Sequence, residues 1–226
     1  GKRGWLMRSE NGVFGGSTYH FQKGDSAWIS QNLWDHYAFT RDKEYLKRYA
    51  YPVMKEISEF WLDHLKALPD GTLVIPDGRS PEHGPEKSDG VSYDQQLCWD
   101  LFNNTIEAST ALGVDADFRQ LLTEKRDKLL GPKVGRWGQL QEWMEDIDDP
   151  ENNHRHNSHL IAVHPGRQIH PTTTPGFAEA AKVSVIARRP LSPGAITGSG
   201  AGTEAWMPLM CATRTQPSGH STSPIE

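Results

Sequence analysis

Long apolar runs, cysteines and an excess of basic residues are all scarce or missing in this sequence of 226 residues. No stretch reaches the roughly 18 consecutive apolar residues that a membrane-spanning helix requires, so we expect no membrane span. Cys98 and Cys211 are the only cysteines and fit no CxxC pattern, which argues against a disulfide scaffold or a cysteine-based zinc site. Acidic residues outnumber basic residues by 29 to 24. We therefore expect neither nucleic acid nor an anionic membrane as a partner.

Alternating apolar and polar residues, the usual sign of β-strands, are also missing over any long stretch, whereas helical periodicity is strong between residues 26 and 130. This periodicity predicts helices that begin near residues 26 and 52, and further helices over 42–50, 92–112 and 115–130. A last helix is predicted over 175–188. Gly113 is expected to end the 92–112 helix, and Asp115 to cap the next one. Residues 72–75 form a short extended segment between predicted turns. The predicted class is all-α.

Tryptophan, in contrast, is abundant, with eight residues. Because large aromatic side chains are costly to expose, we expect Trp28, Trp34, Phe60 and Trp61 to lie in the core. Asp94 stands in the first turn of the 92–112 helix, where the helix dipole favours an acid. We interpret Asp94 as a helix cap.

Residues 189–226 differ in composition from the rest of the chain. Gly, Pro, Ser and Thr make up 20 of these 38 residues, and Lys, Asp, Phe and Tyr are absent. A natural linker has such a composition, and so does a GC-rich gene read in the wrong frame. We favour a frame shift or an artefact, and we divide the chain into a folded region, 1–188, and an aberrant low-complexity tail, 189–226.

Six motifs follow one another along the folded region. They are SAWISQNLWDHYAFTRDKEYL at 26–46, SPEHGP at 80–85, GVSYDQQLCWDLFNNTIEAS at 90–109, GRWGQLQEWMEDIDDP at 135–150, HRHNSHL at 154–160 and HPGRQIHP at 164–171. No single motif decides a family, but their joint order is highly specific. Together they make the chain resemble glycoside hydrolase family 95, which contains α-L-fucosidases and some α-L-galactosidases.

The resemblance implies an (α/α)6 barrel, a toroid of inner and outer helices, of which residues 1–188 would form a truncated part. It implies hydrolysis of terminal α-linked L-fucose with inversion, on a fucosylated oligosaccharide or glycan, with no metal and no cofactor. Two family features are missing. An upstream strand with a pair of asparagines is absent, and Arg189-Pro190-Leu191 stand where an Arg-Gly-Asp segment carrying the general base is expected. We therefore expect an incomplete fragment, with inactivity of the isolated chain as one outcome.

Glu82 is the predicted catalytic acid. Hydrolysis of a glycosidic bond requires an acid for the leaving oxygen and a second carboxylate that activates water. Glu82 lies in the proline-framed loop 80–84, and catalytic groups are frequent on loops that a rigid scaffold positions. An arbitrary loop glutamate is usually a solvated surface residue, but the match to the family's Ser-Pro-Glu motif favours catalysis.

The densest polar cluster consists of His154, Arg155, His156 and His159. The HxHxxH spacing offers imidazoles to a metal ion, although no clearly placed cysteine or carboxylate completes such a site. A second interpretation is sugar recognition, in which these side chains donate to hydroxyl oxygens, and the resemblance places Arg155 and His156 near the sugar. A third is structural, with the histidines tying a loop to helix ends. We favour sugar recognition.

Three further residues are predicted to bind substrate. Trp143 offers an aromatic face to a pyranose ring, with a core tryptophan as the alternative. Glu142 is expected to point inward, unlike the remaining carboxylates of its acidic run, which are expected to point mostly outward. Trp5 and the Ser9-Glu10-Asn11 turn match a family loop that lines the pocket.

Other functions remain open at this point. An α-L-galactosidase of the same family differs in its substrate by one hydroxyl group at C6. A non-catalytic carbohydrate-binding remnant would retain Glu82 without the water-activating partner. A phosphorylase on a helical toroid is a weaker alternative, because no glycine-rich anion-binding loop opens a helix. The export of many glycan hydrolases favours an extracellular or periplasmic location.

Overall fold

Helices are the main regular secondary structure in the computed structural model, which describes residues 2–7, 13–16 and 23–188. Within these ranges the α-helices are α1 (Asp25–Thr40), α2 (Lys43–Tyr45), α3 (Tyr51–Leu62), α4 (Ser92–Leu112), α5 (Ala116–Asp127) and α6 (Pro175–Ala187). A π-helical segment, Leu46–Ala50, joins α2 to α3, and a 3₁₀ turn spans Ser158–Leu160. Strands β1 (Lys66–Ala67) and β2 (Leu73–Val74) pair antiparallel. The all-α prediction is confirmed.

Helix α4 is the central element, because α1, α3 and α5 all pack against it. Its apolar residues Leu97, Leu101 and Phe102 are fully buried in the main core. Gly113 ends α4 in the left-handed conformation, with φ of 70°, which a glycine adopts without a steric penalty. A second, smaller core lies under α6 and includes Leu140 and Ala181.

The other side of α4 is polar, and it holds the long loops in place. The Gln95 side chain accepts a hydrogen bond from the backbone N–H of Ile75 at 2.7 Å and donates to the Leu130 carbonyl at 3.1 Å. Asp100 accepts from the backbone N–H of Arg167 at 3.1 Å. These buried side chains satisfy backbone groups that the loops cannot pair among themselves.

The predicted tryptophan core is correct for Trp34 and Trp61, while Phe60 is partly buried. The prediction is wrong for Trp28, because 46 % of its surface is exposed and its ring lies edge-on to Tyr93. The face of α1 that packs on the core instead contains small and polar residues. These are Ser26, Ala27, Ser30 and Gln31, together with Trp34 and Tyr37.

Two expectations about acidic residues at helix ends are also wrong. Asp115 precedes α5, but its side chain makes no capping hydrogen bond. The Asp115 carboxylate instead accepts from the Tyr51 hydroxyl at 2.7 Å and pairs with Lys55 at 2.6 Å. Asp94 does not cap α4 either, because within the described residues no backbone N–H of the first turn donates to its carboxylate, which is buried.

The helix predicted over 115–130 is also too long, and α5 ends at Asp127. The next residues continue as extended chain beside β2, since the Leu73 N–H donates to the Lys128 carbonyl and the Leu130 N–H donates to the Leu73 carbonyl. None of the helices in the described ranges combines the length and apolar character needed to cross a bilayer. The tail 189–226 lies outside the described residues.

Candidate active site

Glu82 lies in a loop between β2 and α4 that is closed at its base. Gly78 and Ser88 exchange backbone hydrogen bonds of 2.7 and 2.9 Å, and the His83 N–H donates to the Ser80 carbonyl at 3.2 Å. The Glu82 side chain is 48 % exposed. The loop therefore presents this carboxylate to solvent from an anchored backbone.

The sequence-predicted cluster meets Glu82 in space, although more than 70 residues separate the two segments. Arg155 forms an ion pair with Glu82 Oε2, and His156 Nε2 lies 3.3 Å from the same oxygen. The Glu82 backbone N–H donates to His154 Nε2 at 3.2 Å. The Ser158 hydroxyl donates to the Pro81 carbonyl at 2.9 Å and fastens the two loops together. Four of the predicted site residues thus share one surface.

His154 is neutral in this arrangement. Burial, together with the charges of His83, His156 and Arg188, lowers its pKa from 6.5 to about 4. Because Nε2 accepts the Glu82 N–H, the proton of the neutral ring lies on Nδ1. The ring packs 4.1 Å from the His83 ring, measured between centroids. His154 therefore supports the backbone of Glu82.

Glu142 lies directly beneath this surface and is fully buried. Its carboxylate accepts from the Ser80 hydroxyl and from Arg188 Nη2, the latter at 2.5 Å. His83 Nε2 and His159 Nδ1 lie 3.4 and 3.6 Å from Oε2. Burial alone would raise the pKa of Glu142, but these four neighbours together lower it to about 2. Glu142 is thus a buried anion that accepts hydrogen bonds from Ser80 and Arg188 and has two imidazole rings beside it.

His159 and Trp143 also lie below the surface. His159 is 2 % exposed, and burial lowers its pKa to about 4. Trp143 is 5 % exposed, and its ring meets His83 edge-on at 5.3 Å. Gly84 covers the Trp143 ring so closely that a Cβ at Gly84 would lie 2.2 Å from Cζ2. Within the described residues Trp143 is packed as a core tryptophan, the alternative to sugar stacking, and its ring has no face open to solvent.

The remaining acidic residues of the 142–149 run differ from expectation at one position. The residues other than Glu142 were expected to point mostly outward, and Asp148 is the exception: it is only 5 % exposed, and burial raises its pKa to about 6. Its carboxylate accepts from the Glu142 backbone N–H at 3.2 Å. Asp148 therefore supports the segment that carries Glu142.

Trp5 lies on a different element. Its indole N–H donates to Glu56 of α3 at 2.7 Å, and 41 % of its surface is exposed. Among the described residues, this is its only hydrogen-bond partner. The structure does not bring Trp5 into the Glu82 cluster, and the Ser9-Glu10-Asn11 turn lies outside the described residues.

The imidazoles of the HxHxxH motif do not converge on a common point. His154 Nε2 is engaged by the Glu82 backbone, and His159 faces Glu142 below the surface. In the part of the chain that the structure describes, no group of three or more His, Cys, Asp or Glu side chains is arranged to hold a metal ion.

Sequence reasoning missed three residues of the site. Ser80 and His83 flank Glu82 in its motif, and that adjacency was the available signal. Arg188, at the end of α6, contacts His83 at 3.2 Å although the two residues are 105 positions apart in the sequence. It donates to the carbonyls of His154 and His156 at 3.5 and 3.1 Å as well as to Glu142. No local pattern marks such a residue.

Comparison with known proteins defines the class as the catalytic domain of a glycoside hydrolase. The family model described as the glycosyl hydrolase family 95 catalytic domain matches residues 1–224, and the chain belongs to this family. The resemblance drawn from the six motifs is confirmed. The helical fold fits part of the family's (α/α)6 barrel.

Three curated relatives illustrate the similarity. "Probable alpha-fucosidase A" of Aspergillus niger is 36% identical over 177 residues, which cover 72% of this chain and 22% of the relative. "Alpha-L-fucosidase 2" of Arabidopsis thaliana is 31% identical over 210 residues, or 86% of this chain and 25% of the relative. "Kojibiose hydrolase" of Flavobacterium johnsoniae is 28% identical over 119 residues, or 53% and 17%. The chain therefore spans about a quarter of the length of the two fucosidase relatives, or less.

Proposed function

We propose that the protein carrying this chain releases terminal α-linked L-fucose from oligosaccharides with inversion, and that Glu82 is its general acid. The observation that supports this most is the exposed Glu82 carboxylate held between Arg155 and His156. The family supports a glycoside hydrolase, and the names of two relatives support fucose as the sugar.

In the proposed reaction Glu82 takes up a proton from solvent when the sugar displaces its ion pair with Arg155. It then transfers this proton to the glycosidic oxygen as the C1–O bond breaks. A water molecule attacks C1 from the opposite face and loses a proton to a second carboxylate, which in inverting enzymes stands roughly 6.5–9.5 Å from the acid. The resemblance places that base just after Arg188, outside the described residues. Inversion therefore remains part of the proposal.

Arg155 and His156 are proposed to bind the sugar hydroxyl groups. In the ligand-free chain both face Glu82 Oε2. Hydroxyl oxygens of a bound sugar would replace that oxygen as acceptors of the Arg155 fork, which leaves the Glu82 carboxyl free to meet the glycosidic oxygen. His154, His159, Glu142 and Trp143 would support this surface from behind, and Trp5 would line a more distant part of the substrate path.

An α-L-galactosidase is the second candidate within the family, and a non-catalytic carbohydrate-binding protein is the third. Kojibiose, suggested by the more distant relative, provides a contrasting α-glucoside. An extracellular or periplasmic location is proposed on the general habit of glycan hydrolases.

The test incubates the protein with a fucosyl-α1,2-galactoside, the corresponding α-L-galactoside and kojibiose, and follows the products by proton NMR. We expect free L-fucose that appears first as the β-anomer, with slower or no release from the other two substrates. Initial appearance of the α-anomer would contradict inversion. Binding of L-fucose without release of any sugar would favour the carbohydrate-binding alternative.

A further inference from the structure

We propose that Glu142 is a positioning residue for Glu82, and that its buried carboxylate fixes the loop carrying the acid against the loop carrying Arg155 and His156. The inference rests on the proposed function, because it concerns the same general acid. Glu142 contacts neither Glu82 nor, by its burial, the sugar. Its effect would pass through the residues on either side.

The first link joins Glu142 to the acid loop. Ser80, two residues before Glu82, donates its hydroxyl hydrogen to Glu142 Oε1. His83, the residue after Glu82, has its ring nitrogen 3.4 Å from Oε2. Glu82 is therefore held by contacts on both sides, which leaves its backbone little freedom to turn the carboxyl group away.

The second link joins Glu142 to the loop that carries Arg155 and His156. Arg188 forms its ion pair with Glu142 at 2.5 Å and uses its other terminal nitrogen to reach the His156 carbonyl at 3.1 Å and the His154 carbonyl at 3.5 Å. These two carbonyls flank Arg155. One buried ion pair thus adds to the direct Ser158–Pro81 hydrogen bond in setting the distance between the acid and the groups proposed to hold the sugar.

Folding stability alone does not explain a buried ion pair at this position. Two charges lose hydration when they are buried, and replacing such a pair with apolar residues is often neutral or stabilising. The Glu142 side chain is fully buried and that of Arg188 is 7 % exposed. The pair instead orients the groups around it, because a carboxylate with several donors holds each donor at hydrogen-bond distance.

A positioning role and a merely structural role differ in their dependence on the leaving group. A displaced acid slows the release of a sugar, which must be protonated as it leaves, but matters little for fluoride, which leaves without a proton. Loss of fold or of sugar binding slows both reactions alike. The comparison of a fucosyl-α1,2-galactoside with α-L-fucosyl fluoride therefore separates the two roles.

The experiment measures kcat and KM of wild type, Glu142→Gln and Glu145→Gln on both substrates. Glu145 is an exposed glutamate three positions along the same segment and serves as the matched control. For Glu142→Gln we expect kcat on the disaccharide to fall by about 10²-fold, a loss that misplacing a reacting group by about 1 Å can cause. We expect kcat on the fluoride to fall by less than about 10-fold.

Ser80→Ala provides a second variant in case Glu142→Gln does not fold. It removes one neutral donor and leaves the ion pair intact, and we expect the same selectivity with a loss of about 10-fold on the disaccharide. Equal losses on the two substrates in either variant, or unchanged rates in both, would overturn the proposal.

Hydrogen exchange followed by mass spectrometry gives a readout that does not depend on turnover. We expect faster exchange in Glu142→Gln than in Glu145→Gln within peptides covering 80–84 and 154–156, with α4 unchanged. If wild type releases no fucose, the proposed function fails, and exchange alone decides the positioning role. Unchanged exchange in both loops would overturn it.

Discussion

The side-chain amide of Gln96, in α4, donates a hydrogen bond of 2.9 Å to the backbone carbonyl of His159. Its oxygen accepts from the backbone N–H of Ala162, also at 2.9 Å. Gln96 is 2 % exposed, so water cannot replace either bond. One side chain of the central helix therefore fixes the segment that follows the loop carrying Arg155 and His156.

Replacement of this side chain is expected to be costly. Gln96→Ala leaves a buried carbonyl and a buried N–H without partners, and we expect it to lower the free energy of unfolding by about 2–4 kcal/mol. Urea denaturation measures the change. Gln120→Ala, at an exposed position of α5, is the control and is expected to change stability by less than about 0.5 kcal/mol. Equal effects of the two substitutions would show that the Gln96 bonds contribute little.

A second prediction concerns the close contact between Gly84 and Trp143. Both Gly84 and Gly113 have positive φ, at 76° and 70°, but a Cβ meets the Trp143 ring only at Gly84 and meets nothing within 4 Å at Gly113. We expect Gly113→Ala to cost about 1 kcal/mol from backbone strain alone. Gly84→Ala should cost clearly more and should change the tryptophan fluorescence of the protein, to which Trp143 contributes as one of eight tryptophans. Similar unfolding free energies for the two variants would argue against the contact.

Structural features were predicted correctly where neighbouring residues in the sequence determine them. The bounds of α4 were predicted at both ends, because its apolar spacing is regular and Gly113 marks its end. The inward face of α1 was not predicted, because its buried residues include Ser26, Ser30 and Gln31. Small side chains allow α1 to lie close to α4, and a hydrophobic pattern does not reveal this.

The same distinction applies to the site. Glu82 and the histidine cluster were each visible as motifs, but residue spacing alone does not show that a loop at 82 meets a loop at 154–156. The family resemblance provided that link. Arg188 could not have been found, since its role depends on where α6 ends relative to Glu142. Asp94 was misinterpreted because position in a helix does not report burial.

Asp94 leads to a prediction about pH. Burial raises the pKa of Asp94 from 3.8 to about 7, with Lys23 opposing and Asp25 reinforcing the effect. A Cβ at Gly24 or Gly78 would lie 2.9 or 2.5 Å from its two oxygens, so both glycines leave room for the carboxyl group. Burial and, to a smaller extent, the Asp94 charge raise the pKa of both Tyr93 and Cys98.

The sign follows from the raised value. Folded Asp94 keeps its proton up to about pH 7, whereas in the unfolded chain it ionises near pH 4, so its contribution is complete below pH 4 and is lost as pH rises to 7. The unfolding free energy of wild type minus that of Asp94→Asn should therefore fall by a few kcal/mol between pH 4 and 7, on the order that such a change in pKa implies. Urea denaturation at several pH values measures it, with Asp117→Asn, at an exposed position of α5, as the control. A difference that rises with pH would contradict the assignment.

Arg155 is expected to contribute to sugar binding rather than to stability. Its side chain is 58 % exposed, so an alanine there should change the unfolding free energy little. Loss of one charged hydrogen bond to a hydroxyl group should weaken L-fucose binding by about 10-fold or more, as measured by calorimetry. Arg48→Ala, an exposed arginine of the π-helical segment, controls for lost charge. Unchanged affinity in Arg155→Ala would remove this residue from the proposed site.

Hydrolysis of a fucosyl-α1,2-galactoside by Glu82→Gln, beside wild type and Glu86→Gln, tests the role of Glu82 most directly. Glu86 is an exposed glutamate of the same loop. If Glu82 is the general acid, its glutamine variant should remain folded and lose about 10²-fold or more in kcat, while Glu86→Gln keeps the wild-type rate. Wild-type release of L-fucose that Glu82→Gln matches would contradict the assignment of Glu82 as the acid.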